Sequence, residues 1–195
     1  MSTAAYFDAL YTQPDPFQYR QRWYEARKRA LTLACLTHER YARAWELGCS
    51  NGVMTAALAP RCDALLATDL SAAAVDMARA STQAFTHVRV AQAEHPREWP
   101  EGLFDLILIS EVGYYLPADA LAALANRLRG SLRPGGLLVG CHWRVPFAEA
   151  CSTTEQVHAA LADGLVEQFT YRDPDVLLQA WSTDPTTVAA REGLR

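Results

Sequence analysis

Lysine is almost missing from this chain: of its 18 basic side chains only Lys28 is a lysine. With 22 acidic residues the formal net charge is −4, so no basic surplus draws the chain to a nucleic acid. Paired cysteine spacing is missing too. The five cysteines, Cys35, Cys49, Cys62, Cys141 and Cys151, contain no C-x-x-C and fall in apolar segments. That argues for reduced, buried thiols in a cytoplasmic protein and against a zinc site. No apolar run reaches the length of a membrane span, and residues 1–8 hold neither a basic nor a long apolar stretch. Neither membrane association nor a secretory leader is expected. Repeats and low-complexity tracts are also missing. Half of the 195 residues are hydrophobic, enough for a single domain, 1–195, with a full core.

What the chain does have is a strand–turn–helix–strand pattern. An extended segment, 42–47, carries the acid Glu46 and ends in a turn of small residues with Gly48, Ser50 and Gly52. A helix is expected over 52–59 and a second strand over 64–69, ending at Asp69. Small residues let the backbone approach a ligand, and the following helix N-terminus leaves N–H groups pointing out of the turn. An acid at the tip of the second strand is placed to hold ribose hydroxyls. The outline is that of an adenosine site. A dinucleotide fingerprint, G-x-G-x-x-G, fails at two of three glycines, where Ser50 and Val53 stand.

The rest of the pattern extends this unit. Residues 1–16, with Pro14, Asp15 and Pro16, suggest an irregular start, and 17–36 read as a helix, the two together forming an N-terminal cap. Ser71 is an N-cap for a helix over 72–81, and a third strand at 88–91 leads into Ala93-Glu94-His95-Pro96. The unbroken apolar run Phe104 to Ser110 reads as a central parallel strand. A helix over 116–132 stops at Pro134-Gly135-Gly136, and a fifth strand, 137–141, runs into His142-Trp143-Arg144. A helix at 153–162 and a hairpin of 165–171 with 176–181 close the core of 42–181, leaving 182–195 as a loose tail.

Ligands bind at the carboxyl ends of strands in such sheets, so Ser110, Glu111, Tyr114 and Tyr115 should face the site. One of the two tyrosines could instead pack under the next helix. His142 has two readings, a site residue across from Glu111 or a core histidine satisfied by backbone groups. Glu94, in the loop after the third strand, is either a site acid or a surface glutamate. On the helix of the cap, Tyr24 and Arg27 share a face, and Arg27 held over the glycine turn could bind a carboxylate. Arg22, Lys28 and Arg29 are assigned to a solvated face.

The stretch Glu46-Leu47-Gly48-Cys49-Ser50-Asn51-Gly52 resembles motif I of the class I S-adenosylmethionine (SAM) methyltransferases, an acid followed by G-x-G-x-G, with Ser50 replacing the middle glycine. The resemblance narrows with Trp23-Tyr24-Glu25-Ala26-Arg27-Lys28, Glu98-Trp99-Pro100-Glu101-Gly102, Ser110-Glu111-Val112-Gly113-Tyr114-Tyr115 and His142-Trp143-Arg144. These pieces are similar to the nodulation protein S (NodS) group, and the match covers roughly residues 15 to 181. It implies an α/β, Rossmann-like class I methyltransferase fold: a seven-stranded, mostly parallel sheet of order 3-2-1-4-5-7-6 with strand 7 antiparallel and helices on both faces. It implies SAM as cofactor, S-adenosylhomocysteine as product and a small-molecule acceptor. Proteins resembling NodS itself N-methylate the free amine of a deacetylated chitooligosaccharide. The cofactor set so implied is Tyr24, Arg27, Glu46, Gly48, Cys49, Ser50, Gly52, Asp69, Leu70, Glu94, His95 and Ser110. Glu111, His142, Tyr114 and Tyr115 form the catalytic set, with no metal. O- or S-methylation of another metabolite and non-catalytic SAM binding stay open as alternatives, and no oligomeric state is legible.

Overall fold

A computed structural model describes residues 3–13 and 15–195; Pro14 lies outside them. The strands are β1 (Ala44–Leu47), β2 (Leu65–Asp69), β3 (Val88–Gln92), β4 (Phe104–Ser110), β5 (Leu132–Trp143), β6 (Val166–Arg172) and β7 (Val176–Ser182). They form one seven-stranded sheet in the order β3-β2-β1-β4-β5-β7-β6. β1 to β5 run parallel, whereas β7 is antiparallel to β5 and to β6. The helices are α1 (Thr3–Leu10), α2 (Trp23–Ala34), α3 (Val53–Leu58), α4 (Ala72–Thr82), α5 (Ala118–Gly130), α6 (Thr154–Ala162) and α7 (Val188–Arg191). Among the described residues no helix is long and apolar enough to cross a membrane.

Alternation along the strands builds two cores. Leu106, Leu108 and Val139 pack on one face with Leu58 of α3 and Leu31 of α2. Ile107, Ile109 and Leu138 pack on the other with Leu124 of α5, Leu161 of α6 and Trp181. β4 lies between β1 and β5 and is covered on both sides, which is why its sequence is apolar without a break. The caps follow the chemistry of the sequence. Ser71 Oγ accepts from the Ala74 N–H, and Thr153 and Gln156 form a reciprocal capping box on α6.

Four local features depart from the sequence reading. The start of the chain holds the helix α1. The tail contains the short helix α7, capped by Thr187. Gly52, expected to approach the cofactor, packs α3 on α4: its φ is +77°, and a Cβ there would meet the Ala78 Cα at 2.7 Å. β5 begins at Leu132, the irregularity of Pro134-Gly135-Gly136 being absorbed by a register shift opposite Phe104 and Leu106, and it continues to Trp143. That last extension decides the fate of His142. Side chains alternate along a strand, so His142 faces away from its neighbours Cys141 and Trp143.

His142 is fully buried under α6. Its Nε2 lies 3.3 Å from the Gly113 backbone nitrogen and its Nδ1 3.1 Å from His158 Nε2, while His158 Nδ1 lies 2.8 Å from Gln179 Oε1. A backbone N–H can only donate, so His142 accepts at Nε2 and donates through Nδ1 to His158, which donates to Gln179. Every position is satisfied with both rings neutral. Burial, with the charges of His158 and Lys28 adding to it, holds His142 well below the usual histidine range; burial takes His158 down to about 4.

Two predictions follow from these packing arrangements. Gly52→Ala should lower stability in urea by roughly 1–3 kcal/mol, the scale of a strained left-handed residue, while the folded fraction keeps its ligand affinity. For the histidines, the unfolded chain binds protons below about pH 6.5 and the folded rings do not until about 4 for His158. Their contribution is therefore present above pH 6.5 and lost as pH falls towards 4, by up to about 1.4 kcal/mol per pH unit for each ring. Glu46, pushed up to about 8 by burial, works in the opposite direction. Comparing His142→Asn/His158→Gln with the parent isolates the histidine part. Melts from pH 7.5 to 4.5 should show a flatter acid loss in the variant, and parallel profiles would refute the neutral pair.

Candidate active site

The turn after β1 is bonded to the end of β2. The N–H groups of Gly48 and Cys49 both donate to the Thr68 carbonyl, at 2.8 and 3.0 Å. The Ser50 N–H donates to Asp69 Oδ2 at 2.8 Å, and Asp69 Oδ1 accepts from the Ser71 N–H at 3.0 Å. Gly48 has φ +81°, and a Cβ there would sit 2.2 Å from Val112 Cγ2. Only glycine fits. Ser50, also left-handed at φ 50°, takes the position where the family motif carries its middle glycine. Burial raises the Asp69 pKa, and the backbone donors of Ser71, Ser50 and Leu70 pull against it.

A cleft of about 660 Å³ opens over this turn. Asp69, Leu70, Glu94 and His95 line one end, Gly48, Ser50 and Ser110 the middle, and Glu111, Tyr115 and Trp143 the other end. A recess of about 50 Å³ adjoins it, lined by Glu46, Cys49, Glu25 and Lys28. Glu46 accepts from the Thr55 hydroxyl at 2.6 Å. His95 is held between Thr68 Oγ1 and the Glu98 carbonyl and packs on Trp45 and Trp99. Glu94 sits at the rim, paired with Arg97. α1 and the chain after it cover the cleft: Tyr11 donates to Ser50 Oγ at 2.6 Å, Ser71 donates to Asp8 Oδ1 at 2.6 Å, and Phe7 meets Tyr115 edge-on.

At the end of β4, Glu111 has φ 57° and gathers three donors. Lys28 Nζ lies 2.6 Å from its Oε1, while the Tyr114 hydroxyl and the Trp143 N–H donate to Oε2. Lys28 also pairs with Glu25 at 3.1 Å. Burial opposes the ammonium, but Glu111 and Glu25 outweigh it and raise its pKa well above the usual lysine value. Burial raises Glu25, against the pull of Lys28. Tyr24 lies edge-on to Trp143, and among the described residues its buried hydroxyl has no hydrogen-bond partner. No cluster of His, Cys, Asp and Glu among the described residues could hold a metal ion.

The fold thus brings together Tyr24, Glu46, Gly48, Cys49, Ser50, Asp69, Leu70, Glu94, His95, Ser110, Glu111, Tyr114 and Tyr115 around one cleft and its recess. It does not bring Gly52, His142 or Arg27. Arg27 turns to the β6–β7 hairpin, where it pairs with Asp173 at 2.9 Å and donates to Tyr171. Lys28, assigned above to a solvated face, is the buried cation beside the turn, and Arg22 and Arg29 also reach the cleft or its recess. Sequence reasoning missed Glu25, Lys28, Trp143 and the α1 aromatics. The available signal was the spacing of Glu25, Lys28 and Thr32, one stripe of α2, which is its buried face.

A family model described as a methyltransferase domain matches residues 45–140. Nodulation protein S of Rhizobium tropici is 35% identical over 128 residues, covering 64% of this chain and 53% of that protein. The chain therefore spans about half the length of that curated relative. The structure of N-methyltransferase NodS from Bradyrhizobium japonicum WM9 in complex with S-adenosylhomocysteine superimposes with a TM-score of 0.86 at 24% identity, over 93% of this chain and 98% of NodS. It has the same fold. A solved structure named as a methyltransferase, from Pseudomonas syringae, is 45% identical with a TM-score of 0.74, over 83% of this chain and 99% of that one. With that identity across nearly the whole of the Pseudomonas protein, the chain belongs to the S-adenosylmethionine-dependent methyltransferase family.

Proposed function

We propose that the protein transfers a methyl group from SAM to the nitrogen of a small amine. The observation that carries the nitrogen is the cluster beside the glycine turn, where two carboxylates, Glu25 and Glu111, surround one ammonium, Lys28. An amine nitrogen gains positive charge as it is methylated, and a site with one negative charge in excess favours that change. The NodS resemblance offers an amino sugar as the amine.

The residues present fit SAM. Gly48 makes the left-handed turn that sets the backbone of the cleft floor, and Asp69 is oriented by two backbone donors at the tip of β2 to take ribose hydroxyls. Leu70, Glu94 and His95 would border the adenine. The recess would take the amino-acid portion, with Lys28, rather than Arg27, opposite its carboxylate. The cofactor, when bound, supplies a sulfonium-activated methyl group. The chain's own residues position the acceptor and exclude water, a contribution of several kcal/mol. Glu111 has its oxygens occupied by Lys28, Tyr114 and Trp143. It is a fixed electrostatic partner with little freedom to reach a substrate proton. We also read 1–195 as one unit capped by 1–36, working in the cytoplasm with the buried Cys35, Cys49, Cys62 and Cys141 reduced.

Calorimetry with S-adenosylhomocysteine tests this reading, with NAD as control. The parent should bind the former and not the latter. Asp69→Ala should weaken affinity about 10–100-fold, the scale of lost charge-assisted hydrogen bonds. Lys28→Met should cost at least tenfold, and Arg27→Met less than twofold. No binding by the parent would overturn the function, and a loss in Arg27→Met equal to that in Lys28→Met would return the carboxylate to Arg27.

A further inference from the structure

The two ends of the cleft differ in chemistry. The end at Asp69, Glu94 and His95 is polar, whereas Phe7, Tyr24, Tyr115, Trp143 and Phe147 wall the other. These rings touch edge-on: Phe7 and Tyr115 at 5.0 Å between centroids, Tyr115 and Phe147 at 5.6 Å, Tyr24 and Trp143 at 5.1 Å. The carboxylate beside them, Glu111, is already taken by Lys28, Tyr114 and Trp143. Two buried side-chain oxygens among the described residues have no partner, Asn51 Oδ1 at the recess and the Tyr24 hydroxyl at the aromatic end. The whole cleft, about 660 Å³, is the size of a pocket for one drug-sized ligand. That space has to take the nucleoside of the cofactor as well as the acceptor.

Building on the N-methyltransferase reading, we infer that the acceptor is a compact amine on an aromatic or apolar body, not an amino sugar. A sugar ring carries a hydroxyl on almost every carbon, and each one buried without a partner is costly. The polar groups of the aromatic wall are the Tyr24 and Tyr115 hydroxyls and the Trp143 indole N–H, fewer than the hydroxyls of an oligosaccharide. An aromatic body instead continues the edge-on packing of the wall. The Tyr24 oxygen accepts one N–H of the amine and leaves the nitrogen lone pair directed at the methyl carbon. In the transfer the new N–C bond forms as the S–C bond breaks, with its electron pair staying on sulfur. The nitrogen's surplus proton then leaves to solvent.

The experiment offers the full-length chain three probes at equal concentration with SAM: 2-phenylethylamine, glucosamine and the fully deacetylated chitosan trisaccharide. Calorimetry with S-adenosylhomocysteine is run first. Phenylethylamine should be methylated with a kcat/KM at least tenfold above either sugar amine. Tyr24, expected from the resemblance to bind the cofactor, is assigned here to the acceptor end beside Trp143, so Tyr24→Phe should raise the amine's KM at least fivefold and shift the Kd for S-adenosylhomocysteine by a smaller factor. Preference for a sugar amine, no preference, or no transfer to any probe by a protein that binds S-adenosylhomocysteine would overturn the inference and leave the methyltransferase reading standing. Failure to bind S-adenosylhomocysteine would remove both.

Discussion

Glu111 receives hydrogen bonds from three separate parts of the chain: Lys28 on α2, the Tyr114 hydroxyl in the turn after β4, and the backbone N–H of Trp143 at the end of β5. Its left-handed backbone, φ 57°, costs about 1–3 kcal/mol in a residue with a side chain. Those contacts offset the strain and fix the carboxylate at the mouth of the central strand. Without them α2 would lose its polar anchor on the sheet, and the aromatic end of the cleft would lose the register between Tyr24 and Trp143. Burying an ion pair adds little net stability, because desolvation opposes the attraction, but removing one partner is damaging. The Lys28–Glu111 pair is therefore better understood as a device for position than for stability.

The same pair explains the electrostatics of the recess. α2 turns Glu25, Lys28 and Thr32 inward, so its buried face is polar. Glu46 is pushed up to about 8 by burial and is largely neutral at pH 7. The charge near the glycine turn is thus set by Asp69, Glu25, Lys28 and Glu111, and the motif acid contributes little of it. That balance favours a ligand with a carboxylate at Lys28 and positive charge nearby.

Much of the architecture was legible in the sequence because it follows from periodicity and punctuation. The apolar run of β4, the Ser71 cap, the turn at Gly48 and the acid at Asp69 each have a local cause, and each element stands where its pattern placed it. The lining of the cleft was legible where backbone position alone decides, as at Gly48, Ser50 and Asp69. It was not legible where one residue of phase decides. Arg27 and Lys28 are neighbours, and the 3.6-residue turn sends them about 100° apart, one to the hairpin and the other to the cleft. An apolar-stripe rule searches for a buried face made of hydrocarbon, and here that face is Glu25, Lys28 and Thr32. His142 is the same problem in a strand: its alternation put Trp143 in the cleft and His142 under α6. Gly52 shows a third limit, since a glycine required by helix packing and one required by a ligand look alike in sequence.

The most direct test of this account is a double-mutant cycle of Lys28→Met and Glu111→Gln, read as stability in urea. Lys28→Met leaves Glu111 and Glu25 without their cation and should lose about 3–5 kcal/mol, whereas Glu111→Gln leaves Lys28 paired with Glu25 alone and should lose less. The double variant should lose less than the sum of the two by at least about 1 kcal/mol, the mark of a coupled pair. Losses that add to within about 0.5 kcal/mol would mean that the two side chains act independently. The cleft would then not depend on their contact.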